Sequence, residues 1–231
     1  MKKRRWFSLF LSFALLLPLF SLTCADAYED FDLDAKAGLL IEADTGEILY
    51  EKNAHQENFP ASLTKVMVAL LVFEAIDEGK IALTDSVTAT ESAFEGLSSD
   101  GSTANIVPGE TMTVEQLLNC MLIVSANETC NILGEYISGS VEAFVARMND
   151  RATELGCEHT HFANATGLHN SQHYTTAWDL YLITREAMKH DKFMEICNSK
   201  SYTVPATNMT EKPRELHSTN FLISNWRARG Y

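Results

Sequence analysis

The sequence predicts one α+β domain with a β-hairpin at its edge, a long helical middle and a return to strand near the C-terminus. Three observations carry this prediction. Two apolar runs flank a short polar turn at 37–50, helical spacing of apolar residues recurs between 62 and 188, and 202–204 has strand composition. Since no repeat, low-complexity tract or linker separates these segments, we expect them to form one composite fold.

Composition limits the partners as well as the fold. The 231 residues are 46% hydrophobic with only 11 Gly and 5 Pro, which is typical of a globular chain with a real core. The formal net charge is -13. Because a nucleic-acid binder needs a basic surface that displaces counterions from phosphates, we expect no nucleic-acid partner.

The first residues have the pattern of a secretory signal. The basic residues Lys2 to Arg5 precede an apolar run from Trp6 to Leu22, and small residues follow in Ala25-Asp26-Ala27. We therefore expect a signal peptide at 1–27, a folded domain at 28–231, and a secreted or otherwise extracytoplasmic protein.

Two alternatives to cleavage stay open at this point. The apolar run approaches the roughly 18 residues of a membrane span, which would make it a permanent anchor, and Cys24 is a conceivable lipidation site. Pro18 and the Ala-x-Ala pattern favour cleavage, and Leu22 with Thr23 fits a lipoprotein signal poorly.

Local signals place each element in turn. Two apolar strands around Asp44-Thr45-Gly46 predict the hairpin. The chain from Ser62 to Glu78 predicts a helix that ends at Gly79, and because Val66-Met67-Val68 is apolar all round, we expect this helix to be buried on most faces.

The later elements follow a loop at 96–105 that is rich in Ser, Gly and Asp. Capping residues, helix breaks and strand composition mark their bounds. The predicted elements are a helix over 114–124 after the capping box of Thr113 and Gln116, a helical stretch over 127–137, a helix from the cap Ser140 to Gly156, an irregular segment at 157–174, a helix from Thr176 to Met188, and a strand at 202–204.

Cysteines at 120, 130, 157 and 197 are too few for a disulfide scaffold, so we expect structural thiols rather than bridges.

Ser62 and Lys65 are a candidate nucleophile and base. Because they stand three residues apart at a helix start, the lysine amine can reach the serine hydroxyl. Burial would lower the pKa of the lysine and let it take the serine proton, while the helix dipole favours negative charge at Ser62. About one Ser-x-x-Lys pair is expected by chance in a chain of this length. The plain alternative is a capping serine beside a solvated lysine.

Ser125-Ala126-Asn127 gives that pair a context. It stands at a predicted helix break about sixty residues later in the chain. A hydroxyl and an amide on such a turn can face a shared cleft, with Ser125 relaying protons and Asn127 orienting the substrate or the lysine. The alternative is an ordinary helix cap, and a second Ser-x-Asn occurs at 218–220.

The order of these motifs resembles the penicillin-recognising serine enzymes. Within that group, the chain is similar to the secreted D-alanyl-D-alanine carboxypeptidases, the low-molecular-mass penicillin-binding proteins. Matching segments cover essentially all of 37–225 in the family's order. They are 43–46, 60–67, 108–110, 117–118 leading to 125–127, 144–149, 155–156, 160–164, 167–168, 173–177 and 179–180.

The resemblance implies a fold and a set of roles. The fold is β-lactamase/transpeptidase-like, with an antiparallel sheet flanked by helices and a helical lobe. By position in the motifs, Ser62 is the acylated nucleophile, Lys65 its general base, Ser125 the proton relay and Asn127 the residue that binds the substrate amide.

The resemblance also implies partners and a compartment. The enzyme would remove the terminal D-alanine from peptidoglycan stem peptides, and β-lactam antibiotics would acylate the same serine as inhibitors. The place of action would be the cell wall or the outer face of the cytoplasmic membrane of a bacterium.

The family's third element, Lys-Thr-Gly or Lys-Ser-Gly on a strand that binds the substrate carboxylate, does not occur in the 231 residues. In the family it follows a segment like 218–222. We therefore expect a sequence that is truncated at its C-terminus, without the remaining sheet strands, the C-terminal β domain and the amphipathic anchor that gives a full-length form peripheral membrane association. A non-catalytic protein that binds wall peptide or β-lactam in the same cleft is the alternative function.

Two further alternatives are disfavoured. A class A β-lactamase adds a Glu-x-x-x-Asn loop, and none occurs between Asp150 and Tyr174. A zinc site is suggested by four histidines, but apart from Cys157 and Glu158 no ligand cluster completes a tetrahedral set near them, and we expect neither a metal nor a cofactor. These histidines are His159, His161, His169 and His173.

Overall fold

The computed structural model describes residues 33–220 and 222–223. The predicted signal peptide at 1–27 lies outside the described residues. The fold lies in the compact unit that begins at Lys36. Its strands are β1 (Gly38–Ile41), β2 (Ile48–Lys52), β3 (Ser86–Thr88), β4 (Thr111–Thr113), β5 (Ser201–Val204) and β6 (Arg214–His217), and its helices are α1 (Lys65–Asp77), α2 (Val114–Val124), α3 (Asn127–Ser138), α4 (Val141–Glu154), α5 (Ala177–Ala187) and α6 (Asp191–Cys197).

The strands of the described residues pair in three antiparallel ladders, β1 with β2, β3 with β4, and β5 with β6. The predicted hairpin is confirmed, with Leu39 opposite Glu51 and a bulge between Leu40 and Ile41. The predicted strand at 202–204 is confirmed within β5. Strands β3 and β4 are three residues each, which is too short for a visible sequence period, and they were not predicted.

Helix α1 is the centre of the core. Nine of its 13 residues are buried, and they lie on every face of the helix. It contacts four other helices, α2, α3, α4 and α5. The prediction of a helix buried on most faces is therefore confirmed, and burial of each large apolar side chain contributes about 1.5–3 kcal/mol.

Capping side chains set where the later helices begin. Thr113 Oγ1 accepts from the Gln116 N–H at 3.2 Å and Gln116 Oε1 accepts from the Thr113 N–H at 2.8 Å, so the predicted capping box is confirmed. Ser140 caps α4, as predicted, and Thr176 caps α5 through the Asp179 N–H at 3.0 Å. Each such cap contributes about 1 kcal/mol.

The four cysteines of the described residues are free thiols. Cys120, Cys130 and Cys157 are buried and Cys197 is exposed. Burial raises the pKa of Cys120 to about 12 and that of Cys130 to about 11, so both behave as small apolar side chains. Among the helices that the structure describes, none combines the length and the hydropathy that crossing a bilayer requires.

Candidate active site

Ser62 lies on a tight turn that leads into the central helix. The turn is a 3-10 helix over Ala61–Thr64, so the predicted helix starts one turn later as α-helix, at Lys65. Ala61 has a φ of +49°, which costs an alanine about 1–2 kcal/mol. The turn leaves Ser62 exposed and buries Thr64 and Lys65. Backbone strain directly before a nucleophile candidate is a feature of functional sites.

The Lys65 amine is buried and fully surrounded by acceptors. Its side chain is 3% exposed. Nζ lies 3.2 Å from Ser62 Oγ, 2.8 Å from Asn127 Oδ1 and 2.8 Å from the Thr166 carbonyl oxygen. Desolvation lowers the pKa of Lys65, and nearby Cys130 and Glu128 oppose that shift. The plain alternative of a solvated lysine is excluded, and the reach predicted between Lys65 and Ser62 is confirmed.

These contacts fix a direction as well as a distance. A neutral amine has two N–H donors and one lone pair. The Asn127 and Thr166 oxygens can only accept, and they lie at the shorter distances, so they take the two N–H groups. The remaining position of the nitrogen faces Ser62 Oγ. When Lys65 is protonated, its third N–H donates to Ser62 Oγ, and when it is deprotonated, the same two acceptors leave its lone pair facing the serine hydroxyl, which is the orientation that a general base needs.

Asn127 and Ser125 differ in how they join the site. Asn127 begins α3, is buried, and donates its backbone N–H to the Ser102 carbonyl at 2.9 Å. Ser125 ends α2 with a φ of +61°, and its Oγ is buried with no hydrogen-bond partner. The structure thus joins Ser62, Lys65 and Asn127 in one hydrogen-bonded group and leaves the Ser125 hydroxyl outside it. An unpartnered buried hydroxyl is rare and fits a group held for a reacting molecule.

A loop at 163–167 forms one wall of the site. Asn164 Oδ1 accepts from the N–H and the hydroxyl of Thr166 and from the Gly167 N–H, which holds the Thr166 carbonyl toward Lys65. Gly167 has a φ of +86°, and a Cβ there would lie 1.9 Å from the Ala61 carbonyl oxygen. Only glycine permits this approach.

The segment at 101–106 packs against the opposite side. Glu128 is buried, and its Oε1 accepts from the Thr103 hydroxyl at 2.7 Å and the Ala104 N–H at 2.8 Å. A Cβ on Gly101 would lie 2.6 Å from Asn127 Nδ2. This segment therefore limits where the Asn127 amide can go. No role for either wall was predicted from the sequence, although Asn-x-x-Gly at 164–167 is a recognisable turn signal.

The four histidines do not share one site. His159 pairs with Glu57 at 3.3 Å, His161 lies beside the Gln172 carbonyl, and the His169 ring meets Phe59 edge-on at 4.6 Å. His173 is buried. Within 33–220 and 222–223, no three His, Cys, Asp or Glu side chains converge as metal ligands would.

The chain matches the D-alanyl-D-alanine carboxypeptidase family model over residues 24–227. It is 40% identical over 190 residues to the D-alanyl-D-alanine carboxypeptidase DacF of Bacillus subtilis, covering 82% of this chain and 48% of that protein. It is 32% identical over 201 residues to DacC of Escherichia coli, covering 85% and 50%. The chain spans about half the length of these curated relatives.

Solved structures agree with the predicted fold. The Streptomyces K15 DD-transpeptidase superposes with a TM-score of 0.78 at 27% identity, over 87% of this chain and 79% of that one. The D-alanyl-D-alanine carboxypeptidase DacD of Francisella tularensis gives 0.72 at 31% identity, over 84% and 45%. The predicted α+β, transpeptidase-like fold is confirmed by these likenesses. With a family match over most of its length, this chain belongs to the D-alanyl-D-alanine carboxypeptidase family.

Proposed function

We propose that this chain carries the acylation centre of an exported serine D-alanyl-D-alanine carboxypeptidase. The observation that carries the proposal is the buried Lys65 amine, which two fixed oxygens orient toward Ser62 Oγ. A solvated lysine would be protonated and unable to act as a base at neutral pH. Burial lowers the pKa of Lys65 and increases the neutral fraction that can take a proton.

The first step forms an acyl-enzyme. Lys65 takes the proton of Ser62 as Oγ bonds to the carbonyl carbon of the penultimate D-alanine. The C–N bond to the terminal D-alanine then breaks, and the departing amine receives a proton from Lys65 by way of Ser125. The unpartnered Ser125 hydroxyl supports this assignment, because it is free to bond the departing amine.

The second step returns the enzyme to its starting state. A water molecule gives a proton to Lys65 and attacks the ester, and the proton passes back to Ser62 Oγ as the acid leaves. Throughout, Asn127 keeps the lysine oriented with Oδ1 and has its Nδ2 available for the substrate amide. None of the 231 residues is assigned to the substrate carboxylate, since the family's Lys-Thr-Gly triplet is absent from them.

The same chemistry defines the partners. Substrates are peptidoglycan stem peptides that end in D-alanyl-D-alanine, and β-lactams are inhibitors because their strained amide acylates the same serine. Both lie outside the cytoplasmic membrane, which agrees with the signal pattern at 1–27.

Labelling with a fluorescent penicillin tests the proposal. We expect the 231-residue chain to be labelled, mass spectrometry to place the adduct on Ser62, and Ser62→Ala to abolish it. Ser199→Ala, which removes an exposed hydroxyl bonded to the Glu195 carbonyl, is the matched control and should label fully.

A D-alanine release assay on a pentapeptide then separates the carboxypeptidase function from the non-catalytic binding function. Peptide binding without release would favour the non-catalytic alternative, and an unlabelled wild-type chain would contradict the acylation centre.

A further inference from the structure

We propose that His173 is a positioning residue that links the loop at 163–167 to the turn carrying Ser62 and so fixes the direction of the Lys65 amine. The inference rests on the proposed function of that site. It assigns a role to one of the four histidines that the sequence suggested as metal ligands.

The imidazole links two backbone segments. Its Nδ1 lies 3.1 Å from the Ala163 N–H and its Nε2 lies 2.8 Å from Thr64 Oγ1. Since an N–H donates to Nδ1, that nitrogen carries no proton, and Nε2–H donates to the Thr64 hydroxyl. Thr64 directly precedes Lys65, and Ala163 stands three residues before Thr166. The ring therefore spans the two segments whose separation sets the contact between Lys65 Nζ and the Thr166 oxygen.

The surroundings of the ring favour this single tautomer. His173 is 2% exposed, and its ring meets Phe162 edge-on with centroids 5.6 Å apart. Burial, with a smaller effect of nearby His161, lowers the pKa of His173 to about 4. A protonated ring would turn an N–H toward the Ala163 N–H and lose that bond. Both ring nitrogens are engaged within the protein, so neither is available to a metal.

A second contact of the loop at 163–167 shows why the His173 link matters. Gly167 lies against the Ala61 carbonyl so closely that no side chain fits between them. The loop thus meets the serine turn directly at Ala61 and Lys65, and it is linked to Thr64 through the His173 ring. With the Thr64 bond lost, the Thr166 carbonyl can withdraw, and the amine keeps one fixed acceptor instead of two.

Paired substitutions of His173 test the role. A glutamine offers an oxygen to the Ala163 N–H and an NH₂ to Thr64, whereas a leucine offers neither. In the full 231-residue chain we expect His173→Leu to lower the penicillin acylation rate constant about tenfold or more, while noncovalent affinity changes less than about threefold. We expect His173→Gln to restore the rate to within about threefold. His161→Gln, on the exposed side of the same segment, should match the wild type.

Thr64→Val removes the other partner of the same bond. We expect it to reproduce the loss seen in His173→Leu and to add little to it in the double variant, because both delete one interaction. Equal losses in His173→Leu and His173→Gln, or an unchanged rate in His173→Leu, would overturn the proposal. So would a loss that follows the melting temperature alone across all variants.

Two measurements do not depend on activity. Long-range ¹H–¹⁵N spectra of the imidazoles should show His173 as the Nε2–H tautomer without titration from pH 5 to 8, and an Nδ1–H tautomer would overturn the proposal. The ¹³Cε shift of Lys65 should report a higher pKa in His173→Leu than in the wild type, because the amine gains water, and an equal pKa would count against it. If these results hold in a chain that penicillin does not acylate, the proposed function fails and the positioning role stands.

Discussion

The turn that carries Ser62 has two sides, and neighbouring residues on it lie in opposite environments. Lys65 is 3% exposed, and each contact of its amine is a directed hydrogen bond. Leu63, two residues earlier, is 56% exposed and faces an open groove of about 760 Å³ between β1, α1 and α5. The groove is largely apolar, and the side chains that line it include Leu40, Leu63, Val66, Leu180 and Met188.

The comparison of Lys65 with Leu63 shows that directed hydrogen bonds, rather than apolar contacts, fix the geometry of the candidate site. In the low-dielectric surroundings of Lys65, each polar atom must find a partner in one geometry, and losing a partner leaves a buried group unsatisfied. Apolar contact in the groove has no preferred direction and scales with the area removed from water, which is small for an exposed side chain. Substitutions on the two sides should therefore differ in size and in what they disturb.

The largest effect is expected from removing the amine itself. Lys65→Met keeps the length and apolar stem of the side chain but has no base. We expect the penicillin acylation rate to fall about 10² to 10⁴-fold, the range of general base catalysis. The matched control is Lys80→Met, at an exposed lysine paired with Glu78, which should acylate at the wild-type rate. Stopped-flow labelling measures both, and a normal rate in Lys65→Met would mean that another group is the base.

The next effect is on stability and tests the wall at 163–167. Gly167→Ala places a Cβ on the Ala61 carbonyl and forces a positive φ, so we expect a loss of about 2–5 kcal/mol in the free energy of unfolding. Gly139→Ala is a matched control, with a φ of +82° and nothing within 4 Å, and should cost about 1–2 kcal/mol. Urea denaturation gives both values. Equal losses would show that the loop does not press on the serine turn.

Elements with local sequence signals could be predicted, and elements that depend on distant residues could not. Helix α1 and the capped helices α2, α4 and α5 follow from local signals, namely apolar spacing and capping residues, and all are confirmed. Strand β5 also had a local composition signal, whereas helix α6, strand β6 and the pair β3–β4 were not predicted. Thr88 pairs with Thr111, for instance, and no local pattern announces such a pairing.

The contacts of the candidate site also include one local contact that the sequence predicts and long-range contacts that it does not. The contact of Ser62 with Lys65 follows from helical spacing, and the sequence alone predicted it. The contacts of Lys65 with Asn127 and Thr166 join residues 62 and 101 positions away, and the second uses a backbone carbonyl, which no residue type reveals. The roles of Ser125 and Asn127 were inferred from the turn at the predicted helix break and from the motif resemblance, and they remain proposals. His173 was noticed for its metal-binding side chain, whereas its burial and its two bonds appear only in the fold.

A pH effect of intermediate size is expected from His173. Its pKa is about 4 in the folded chain, because of burial and nearby His161, and 6.5 is its ordinary value. The unfolded chain therefore binds the proton more readily, and stability falls as the pH drops from about 6.5 toward 4. The shift corresponds to about 3 kcal/mol. Urea denaturation should show a shallower acid slope for His173→Gln than for the wild type, and identical slopes would contradict the depressed pKa.

The smallest effect is expected on the groove side. Leu63→Ala removes a side chain that is already half in water, so we expect the free energy of unfolding to change by less than about 1 kcal/mol. Leu70→Ala makes the same chemical change at a position of α1 that is 1% exposed, and it should cost about 2–5 kcal/mol because it leaves a cavity. A loss at Leu63 as large as that at Leu70 would show that the groove is closed in solution. Leu63 lies between Ser62 and Lys65 in the chain. If Leu63→Ala acylates at the wild-type rate, the side chain of Leu63 does not contribute to the geometry of that pair. The orientation of the Lys65 amine then depends on the hydrogen bonds on the polar side of the turn.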